Sequence, residues 1–535
     1  MNLNDTFIFD GLNESQKRAV TTTEGPLLIA AGPGTGKTRT IVRRIAHLIH
    51  QGVRPENILA VTFTNRAARE MRERTRSMLG DNSRRICIGT FHLLGLKIIR
   101  DSRGDDFLLY NREEQIGLLK PLAGGSIRKA GQAAERISRI KNFQDEADGE
   151  IRPIYEAYQA ALKQKSAFDF DDLILAPINI LQDTPANPFK GRFTHIIVDE
   201  YQDINPAQYR LMKLLTKGAN VCAVGDSDQA IYAFRGADLG NFLNFEKDFP
   251  GAAQITLSEN YRSSAPIIHA ASALIRRNQK RIDKRIDPTR GAGASLSLLS
   301  VPDERSEGDM VVQEIEARMG GTSHHQMRQT GPARDFSGRS WRFADFAVLY
   351  RTNAQARALE EAFSESGIPY QMVGRSGGLQ AQEIEQTLAY LRSFLHEDGA
   401  AQVEAADDQE SKLMTPADFF DPRADAVTLM TLHMAKGLEF PFVFIAGCED
   451  GLLPCTIMKD DVDIEEERRL FFVGMTRAQD ELVLIHSRSR FLYGQRLAPA
   501  PSPFLAEIPN ELVESVVIPD RVKRQKEPDR QMELL

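Results

Sequence analysis

Short apolar runs of six or seven residues recur along the first half of the chain, each followed by a loop and then by a stretch of helical periodicity. PLLIAAG (26–32) precedes TRTIVRRIAHLIHQG, ILAVTF (58–63) precedes NRAAREMRERTRSMLG, and ICIGTF (86–91) precedes HLLGLKIIR. HIIVDE (195–200) and VCAVGD (221–226) add two more runs. Apolar runs this short, alternating with helices, predict strands buried on both faces of a parallel sheet. Residues 95–165 interrupt the pattern: they read as helical and polar, an insertion in the first domain.

The alternation restarts after Arg262 with FAVLYR (346–351), IPYQMVG (368–374), AVTLMTLH (426–433), FVFIAGC (442–448) and ELVLIHS (481–487), which predicts a second α/β domain. Two stretches break it. Residues 319–340 read as a Gly/Ser-rich surface loop carrying His324 and His325, and residues 396–425 hold nine acidic residues against one Lys and one Arg and read as a disordered linker. Beyond Pro509 the tail is charged, lacks apolar periodicity and is not expected to fold alone.

A chain of 535 residues exceeds one core and suggests three or four units at roughly 100 to 200 residues each. Apolar residues at 42% and charged residues at 26% place it among globular proteins, with no run near the ~18 apolar residues of a membrane span. The N-terminus lacks a signal-peptide layout, so a cytoplasmic address is expected and no membrane partner. Cys87, Cys222, Cys448 and Cys455 are scattered without a C-x-x-C pair, which points away from zinc, iron–sulfur and disulfide frameworks. The net charge of -7 opposes a polyanion spread over the whole surface, so any nucleic-acid contact must be local.

The strongest chemical signal is Ala31-Gly32-Pro33-Gly34-Thr35-Gly36-Lys37-Thr38, set between a strand and a helix as a Walker A loop requires. Backbone N–H groups of such a loop cradle phosphates, Lys37 reaches the β and γ oxygens of ATP, and Thr38 offers a hydroxyl to Mg²⁺. Asp199 and Glu200 end the apolar run HIIVDE, where one carboxylate can hold the metal and the other the attacking water. An Asp-Glu pair alone is more often a solvated loop end; beside a Walker A loop it gains meaning.

With LNESQKRAV, AVTFTNRAAREM, GTFH, FDFDDL, VGDSDQAIYAFRGA, ENYRSS, TLHMAKGLEF and EEERRLFFVGMTRAQ following in order, the chain resembles superfamily 1A DNA helicases of the UvrD/Rep/PcrA type from about residue 8 to about 508. The resemblance implies two RecA-like P-loop domains in tandem, with a small helical insertion (1B) in the first and a missing or vestigial insertion (2B) in the second. The implied division is 1–94 and 166–262 for domain 1A around 1B at 95–165. Domain 2A then occupies 263–395 and 426–509, with the acidic linker 396–425 where 2B would stand and a tail at 510–535.

The resemblance also implies roles. Gln16 would bond adenine, Tyr261 and Arg39 would sandwich its ring, and Glu439 would lie near the ribose and γ-phosphate. Gln229 would sense the γ-phosphate, while Arg262 and Arg477 would act as arginine fingers. Phe63, Thr64, Asn65, Thr90, His92, Tyr232, Phe234, Arg235 and Thr431 match positions that touch single-stranded DNA, aromatic faces stacking bases; the less favoured alternative is that Phe63 and Tyr232 are simply core aromatics. The arginine-rich runs 66–76 and 276–285 fit DNA contact or solvated helix faces equally well. Phe234 stands where the family usually has Trp, and Cys455 where a DNA-contacting His is common. The terminal Gln531-Met532-Glu533-Leu534-Leu535 resembles peptides that bind bacterial sliding clamps.

The function implied is ATP-driven 3′-to-5′ movement on single-stranded DNA with strand separation at single-strand/duplex junctions. One rival keeps the motor and changes its task to stripping proteins from single strands. Another, a non-catalytic clamp-tethered DNA-binding scaffold, predicts damage to Lys37, the acidic pair or the arginines, all of which are present.

Overall fold

The computed structural model describes residues 5–143, 146–184, 187–320, 340–374, 388, 389, 391, 392, 420–457 and 461–520. His324 and His325, most of the acidic linker and the Gln531 to Leu535 peptide lie outside these residues.

The first lobe is built on six parallel strands: β1 Leu27–Ala31, β2 Ile58–Thr62, β3 Cys87–Thr90, β4 His195–Val198, β5 Asn220–Gly225 and β6 Ala253–Leu257, in the order β3-β2-β4-β5-β1-β6. Every residue of β1, β2 and β4 is buried, as their unbroken apolar runs require. The second lobe carries β7 Leu296–Asp303, β8 Phe346–Tyr350, β9 Tyr370–Met372, β10 Val427–Thr431, β11 Phe440–Ile445, β12 Ala478–Leu492, β13 Gln495–Leu497 and β14 Val513–Val517. Their order is β9-β10-β8-β11-β12-β7-β14, all parallel, with β13 antiparallel on β12. The described part is thus a tandem of RecA-like α/β lobes. Among the described residues no helix is long and apolar enough to cross a membrane.

Four strands of the two sheets escaped the apolar pattern, one of them the three-residue β13. β6 and β14 are edge strands with partly exposed faces, and β7 carries serines within its run, so none reads as continuously apolar. The tail is therefore not wholly uncommitted: Val513–Val517 pairs in parallel with Leu296 to Ser300.

Helix Phe91–Arg103 packs into the first lobe's own core through Leu94, Leu96, Ile98 and Ile99. It crosses helix Asp172–Asp183 so closely that a Cβ on Gly95 would stand 1.7 Å from the Leu173 carbonyl oxygen, which excludes any side chain there. Helices Arg112–Leu122, Ile127–Phe143 and Ile151–Gln164 share a separate small core around Leu119, Ala134, Ile137 and Tyr158. Further along, Leu388 and Leu391 are buried in the first lobe's core, and Arg392 pairs with Glu114 at 2.7 Å.

The helical insertion is fastened to the first lobe by a buried charge cluster within FDFDDL. Lys141 Nζ lies 2.7 Å from both Asp169 Oδ2 and Asp172 Oδ1, and the Tyr158 hydroxyl donates to Asp169 at 2.9 Å. Burial alone would lower the Lys141 pKa, but Asp169 and Asp172 hold it above the ordinary lysine value. Removing one partner of such a pair strands the other's charge, so Lys141→Ala is expected to cost about 3–5 kcal/mol of stability. Urea denaturation followed by circular dichroism measures this; a loss below about 1 kcal/mol would refute the fastening role.

Candidate nucleotide and DNA site

The phosphate loop leaves β1 at Ala31 and enters helix Lys37–His50, at the carboxyl edge of the sheet where ligands of open α/β folds bind. Gly34 and Gly36 take positive φ values of 65° and 79°, a conformation that glycine adopts without strain. A Cβ on Gly34 would also press within 2.6 Å of Arg262 Cβ, so the loop and the ENYRSS stretch can meet only because glycine is there. Asn260, fully buried, ties them: its Nδ2 donates to the Pro33 carbonyl at 2.7 Å while its Oδ1 accepts from the Arg262 and Ser263 amides at 3.1 and 2.8 Å. Within the loop, the Thr35 hydroxyl donates to the Gly32 carbonyl at 2.8 Å and Lys37 Nζ to the Ala31 carbonyl at 3.3 Å. Thr38 is half-buried in the first turn of the helix.

The adenine-side residues surround the same loop. Gln16 is buried, and both ends of its amide are engaged by the chain itself: Oε1 accepts from the Asn13 amide at 3.1 Å and Nε2 donates to the Thr35 carbonyl at 3.0 Å. Tyr261 is exposed; its amide donates to the Gly34 carbonyl at 2.9 Å, and its hydroxyl accepts from Asn13 at 2.9 Å and donates to Glu259 at 2.7 Å. Arg39 reaches the Asp10 carbonyl at 3.0 Å.

Asp199 and Glu200 leave the end of β4, one strand over from β5. Glu200 takes a left-handed conformation, φ 51° and ψ 42°, that turns the chain sharply. Burial and the neighbouring Glu200 push the Asp199 pKa up to about 7 against the pull of Lys37. For Glu200 burial also pushes upward, but Lys37, Lys436 and a 2.5 Å hydrogen bond from Gln202 outweigh it and hold the carboxyl below its ordinary value. The two carboxyls are thus driven in opposite directions, Asp199 upward and Glu200 downward.

Across the junction of the lobes, Arg262 Nε donates to Glu439 at 2.6 Å and its guanidinium to the Thr476 carbonyl at 3.3 Å. Arg477, 1% exposed, meets the same threonine at its hydroxyl, 3.2 Å away. Its other partners are the Val473 and Leu438 carbonyls at 2.9 and 3.1 Å, with no carboxylate in ion-pair range among the described residues. Burial, and then the charge of Arg262, lower the Arg477 pKa to about 9 against the weaker pull of Glu200, Glu439 and Asp226, none of them within that range. The Gln229 side chain donates from Nε2 to Asp226 at 2.6 Å.

Lys436 is a candidate site residue that the sequence motif TLHMAKGLEF contains but does not single out. It comes from the second lobe, pairs with Asp203, donates to the Gln229 carbonyl at 2.8 Å, stands 4.0 Å from Glu200 and lies 4.9 Å over the Tyr232 ring. Only the fold brings it there.

That ring opens the aromatic row. Phe63 and Tyr232 stack at 5.1 Å and 17°, Tyr232 neighbours Phe234 at 6.0 Å, and Phe234 meets His433 edge-on at 5.5 Å. Phe63 and Tyr232 are half-buried, Tyr232 packing against the second lobe's core, and Phe234 is exposed, with Arg235 over both Tyr232 and Phe234, so the row opens outward toward Phe234. Thr64 is exposed at its helix start, its hydroxyl accepting from the Ala67 amide at 3.2 Å, and Asn65 is half-buried beside it.

Other residues expected at DNA turn inward. Thr90 is buried and its hydroxyl accepts from the Leu93 amide at 3.3 Å; Thr431 is buried and accepts from the Met434 amide at 3.4 Å. His92 stacks on Phe170 at 3.9 Å, and burial lowers its pKa to about 3, so it is neutral. Cys455 is buried, its amide donating to Glu467 at 3.0 Å. The two arginine-rich runs part ways: 66–76 lies on helix Asn65–Leu79 with Arg66, Arg74 and Arg76 exposed, whereas 276–285 forms turns in which Lys284 is buried and Arg281 is paired.

A phosphate loop, a strand-end acidic pair and arginines brought in across a cleft between tandem RecA-like lobes define a nucleoside triphosphatase of the motor class. The chain belongs to the UvrD/REP helicase family. Its residues 12–250 match the UvrD/REP helicase N-terminal domain, and residues 255–405 and 408–489 match the UvrD-like helicase C-terminal domain. It is 33% identical to the ATP-dependent DNA helicase PcrA of Leuconostoc citreum, over 95% of this chain and 86% of that protein. Identity to the PcrA proteins of Staphylococcus aureus and Staphylococcus epidermidis is 32% and 33%, over 95% and 94% of this chain and 87% of each relative. The Leuconostoc alignment runs over 659 positions against 535 residues here, so that relative carries at least 124 without counterpart.

Proposed function

We propose that this chain is an ATP-driven DNA motor of the cytoplasm that moves 3′ to 5′ along single-stranded DNA and acts at single-strand/duplex junctions. The observation that carries the reading is that Lys37, Glu200, Arg262 and Arg477 converge on the seam between the lobes, with Lys436 linking that seam to the outward aromatic row. In this reading ATP enters with its phosphates in the loop, the adenine ring lies between Tyr261 and Arg39, and Gln16 reads the adenine edge. Glu200, kept ionised by Lys37 and Lys436, takes the proton of the attacking water. Arg262 and Arg477 meet charge developing on the transferring phosphoryl group, which gives Arg477 an anion at close range.

Thr38 and Asp199 would hold Mg²⁺. The described residues contain no cluster of three or more His, Cys, Asp or Glu side chains that could hold an ion alone, which suits a cation that arrives with phosphate oxygens and needs one or two protein ligands. When bound it supplies charge neutralisation at the β and γ oxygens.

Closure of the lobes on ATP and opening after hydrolysis would alternate two grips on the strand; the polarity rests on family resemblance. A second reading, protein stripping with little intrinsic unwinding, draws support from the 124 or more positions that the Leuconostoc relative has in excess, enough for a separate domain such as 2B. The tail peptide Gln531 to Leu535 would tether the motor to a sliding clamp, and unchanged clamp binding after its deletion would remove that element.

The primary test is ATP hydrolysis with and without single-stranded oligonucleotide, paired with dye-release from 5′- and 3′-labelled strands. Turnover that ignores oligonucleotide would defeat the motor reading, and release from the 3′ end would reverse the polarity. For the track, Tyr232→Ala is expected to weaken oligonucleotide binding by about 1–3 kcal/mol, roughly 5- to 150-fold. Fluorescence anisotropy reads this directly, and unchanged affinity would exclude Tyr232 as a stacking platform.

A further inference from the structure

The chain between helix Ala265–Ile275, whose apolar face is packed in the second lobe's core, and β7 makes an excursion back onto the first lobe. There Asp287 and Pro288 pair in parallel with Glu259 and Asn260. On this excursion sit two cations that no step of hydrolysis has used. Lys284 Nζ, 1% exposed, lies 2.6 Å from Asp226 Oδ1 and 2.5 Å from Asp228 Oδ2. Arg281 holds Asp228 through two bonds of 2.9 Å each. Two carboxylates and two cations thus balance in a buried cluster.

Asp226 divides its two oxygens between different partners. Oδ1 takes Lys284 and the Asp228 amide, the latter at 3.0 Å; Oδ2 takes the Gln229 Nε2 at 2.6 Å. Its own amide donates to Gln202 Oε1 at 2.9 Å, and Gln202 Nε2 donates to Glu200 at 2.5 Å. The cluster therefore holds Gln229 directly and reaches Glu200 through Gln202.

We propose that Lys284 is a positioning residue for hydrolysis, which through Asp226 fixes which end of the Gln229 carboxamide is presented to the nucleotide cleft. The inference rests on the motor reading above and gives Gln229 the attacking water to hold, since with its nitrogen on Asp226 the end left for the cleft is an acceptor and cannot donate to a phosphate oxygen. An ionised carboxylate has only acceptors, so the Gln229 nitrogen must face Asp226 and the carbonyl oxygen is left for the cleft. There it can accept a hydrogen bond from the attacking water that Glu200 deprotonates. Burial pushes the Asp226 pKa up, while Lys284 first and Lys37 next pull it below the ordinary value. Without Lys284 a protonated Asp226 would donate to the Gln229 oxygen, the amide would turn over, and an N–H₂ would face a water that needs an acceptor. Lys284 reaches the reacting atoms only through these neighbours and touches no substrate.

The test is steady-state ATP hydrolysis by the full chain with saturating oligonucleotide, comparing the unaltered protein with Lys284→Met, Lys284→Arg and the charge-balanced pair Asp228→Asn with Lys284→Gln. The double change removes one buried charge of each sign, so it keeps the cluster neutral if Lys284→Met fails to fold. Misplacement of a positioned group by about 1 Å costs roughly 100-fold. Lys284→Met and the double variant are therefore expected to lose about 10- to 100-fold in kcat, with the KM for ATP and the affinity for a non-hydrolysable nucleotide held within about threefold. Lys284→Arg is expected to restore most of the turnover, since a cation returns to Asp226.

A folded Lys284→Met or double variant that turns over like the unaltered protein would overturn the proposal, as would a rise in KM at constant kcat. If both variants unfold, Lys284 is structural only and the proposal falls as well. No hydrolysis by the unaltered protein would sink the motor reading itself, and this inference with it; normal hydrolysis there with unaffected variants sinks only the inference.

Discussion

Replacing Arg477 by lysine is expected to lower oligonucleotide-stimulated ATP turnover by about 10³- to 10⁵-fold, equivalent to about 4–7 kcal/mol of barrier, while nucleotide still binds. Each guanidinium nitrogen is held by a neutral acceptor, Nε by the Val473 carbonyl, Nη1 by the Leu438 carbonyl and Nη2 by the Thr476 hydroxyl, which fixes its plane. A lysine ammonium fits the charge but not this fork, and it lacks the planar pair of donors that meets phosphoryl oxygens. Keeping a cation also limits the structural damage that alanine would do at a site 1% exposed. Single-turnover hydrolysis beside nucleotide-analogue binding separates the two effects. Turnover within tenfold of the unaltered protein would remove Arg477 from the reaction.

Glu200→Gln carries the second large effect: a loss of about 10²- to 10⁴-fold in the hydrolytic step, with unchanged affinity for ATP. Glutamine preserves the shape but cannot take a proton. The present carboxyl is well prepared for that task, since Lys37, Lys436 and Gln202 offset its burial and hold it ionised. Its left-handed backbone, φ 51°, stores strain where the chain turns from β4 toward the nucleotide. Rapid-quench measurement of the first turnover checks the result, and a normal first turnover would transfer the base role away from Glu200.

Both residues are legible in the sequence, for different reasons. Glu200 belongs to a local pattern, a carboxylate pair ending an apolar run, which needs only the Walker A loop to give it meaning. Arg477 has no local signature and is found through family resemblance alone. Lys436 is not legible in this way: it lies 233 residues from Asp203 in sequence, and its partners are set by how the lobes meet. Asn260 has the same character, serving a loop 227 residues away.

The fold shows a similar division. β1, β2 and β4 announce themselves because both their faces are buried, whereas β6 and β14 sit at sheet edges and carry the mixed polarity of half-exposed strands. Lys284 is hidden for a third reason. A run of basic residues reads as a wet surface unless the matching carboxylates are visible, and here they lie more than 50 residues upstream. Thr90 at a helix start and Thr431 at a strand end show the converse, since their small hydroxyls are committed to the backbone and cannot be told from ligand-facing ones by sequence.

The reach of Lys436 bears on economy. Its ammonium lies 4.9 Å over the Tyr232 ring, and the same atom stands 4.0 Å from the Glu200 carboxylate. In the proposed motor, a base arriving on that ring would compete with the ammonium and shift a positive charge beside the Glu200 carboxylate. An engine wired in this way would idle cheaply: without cargo on its rail the fuel tap would stay out of adjustment, the two being joined by a single flexible side chain.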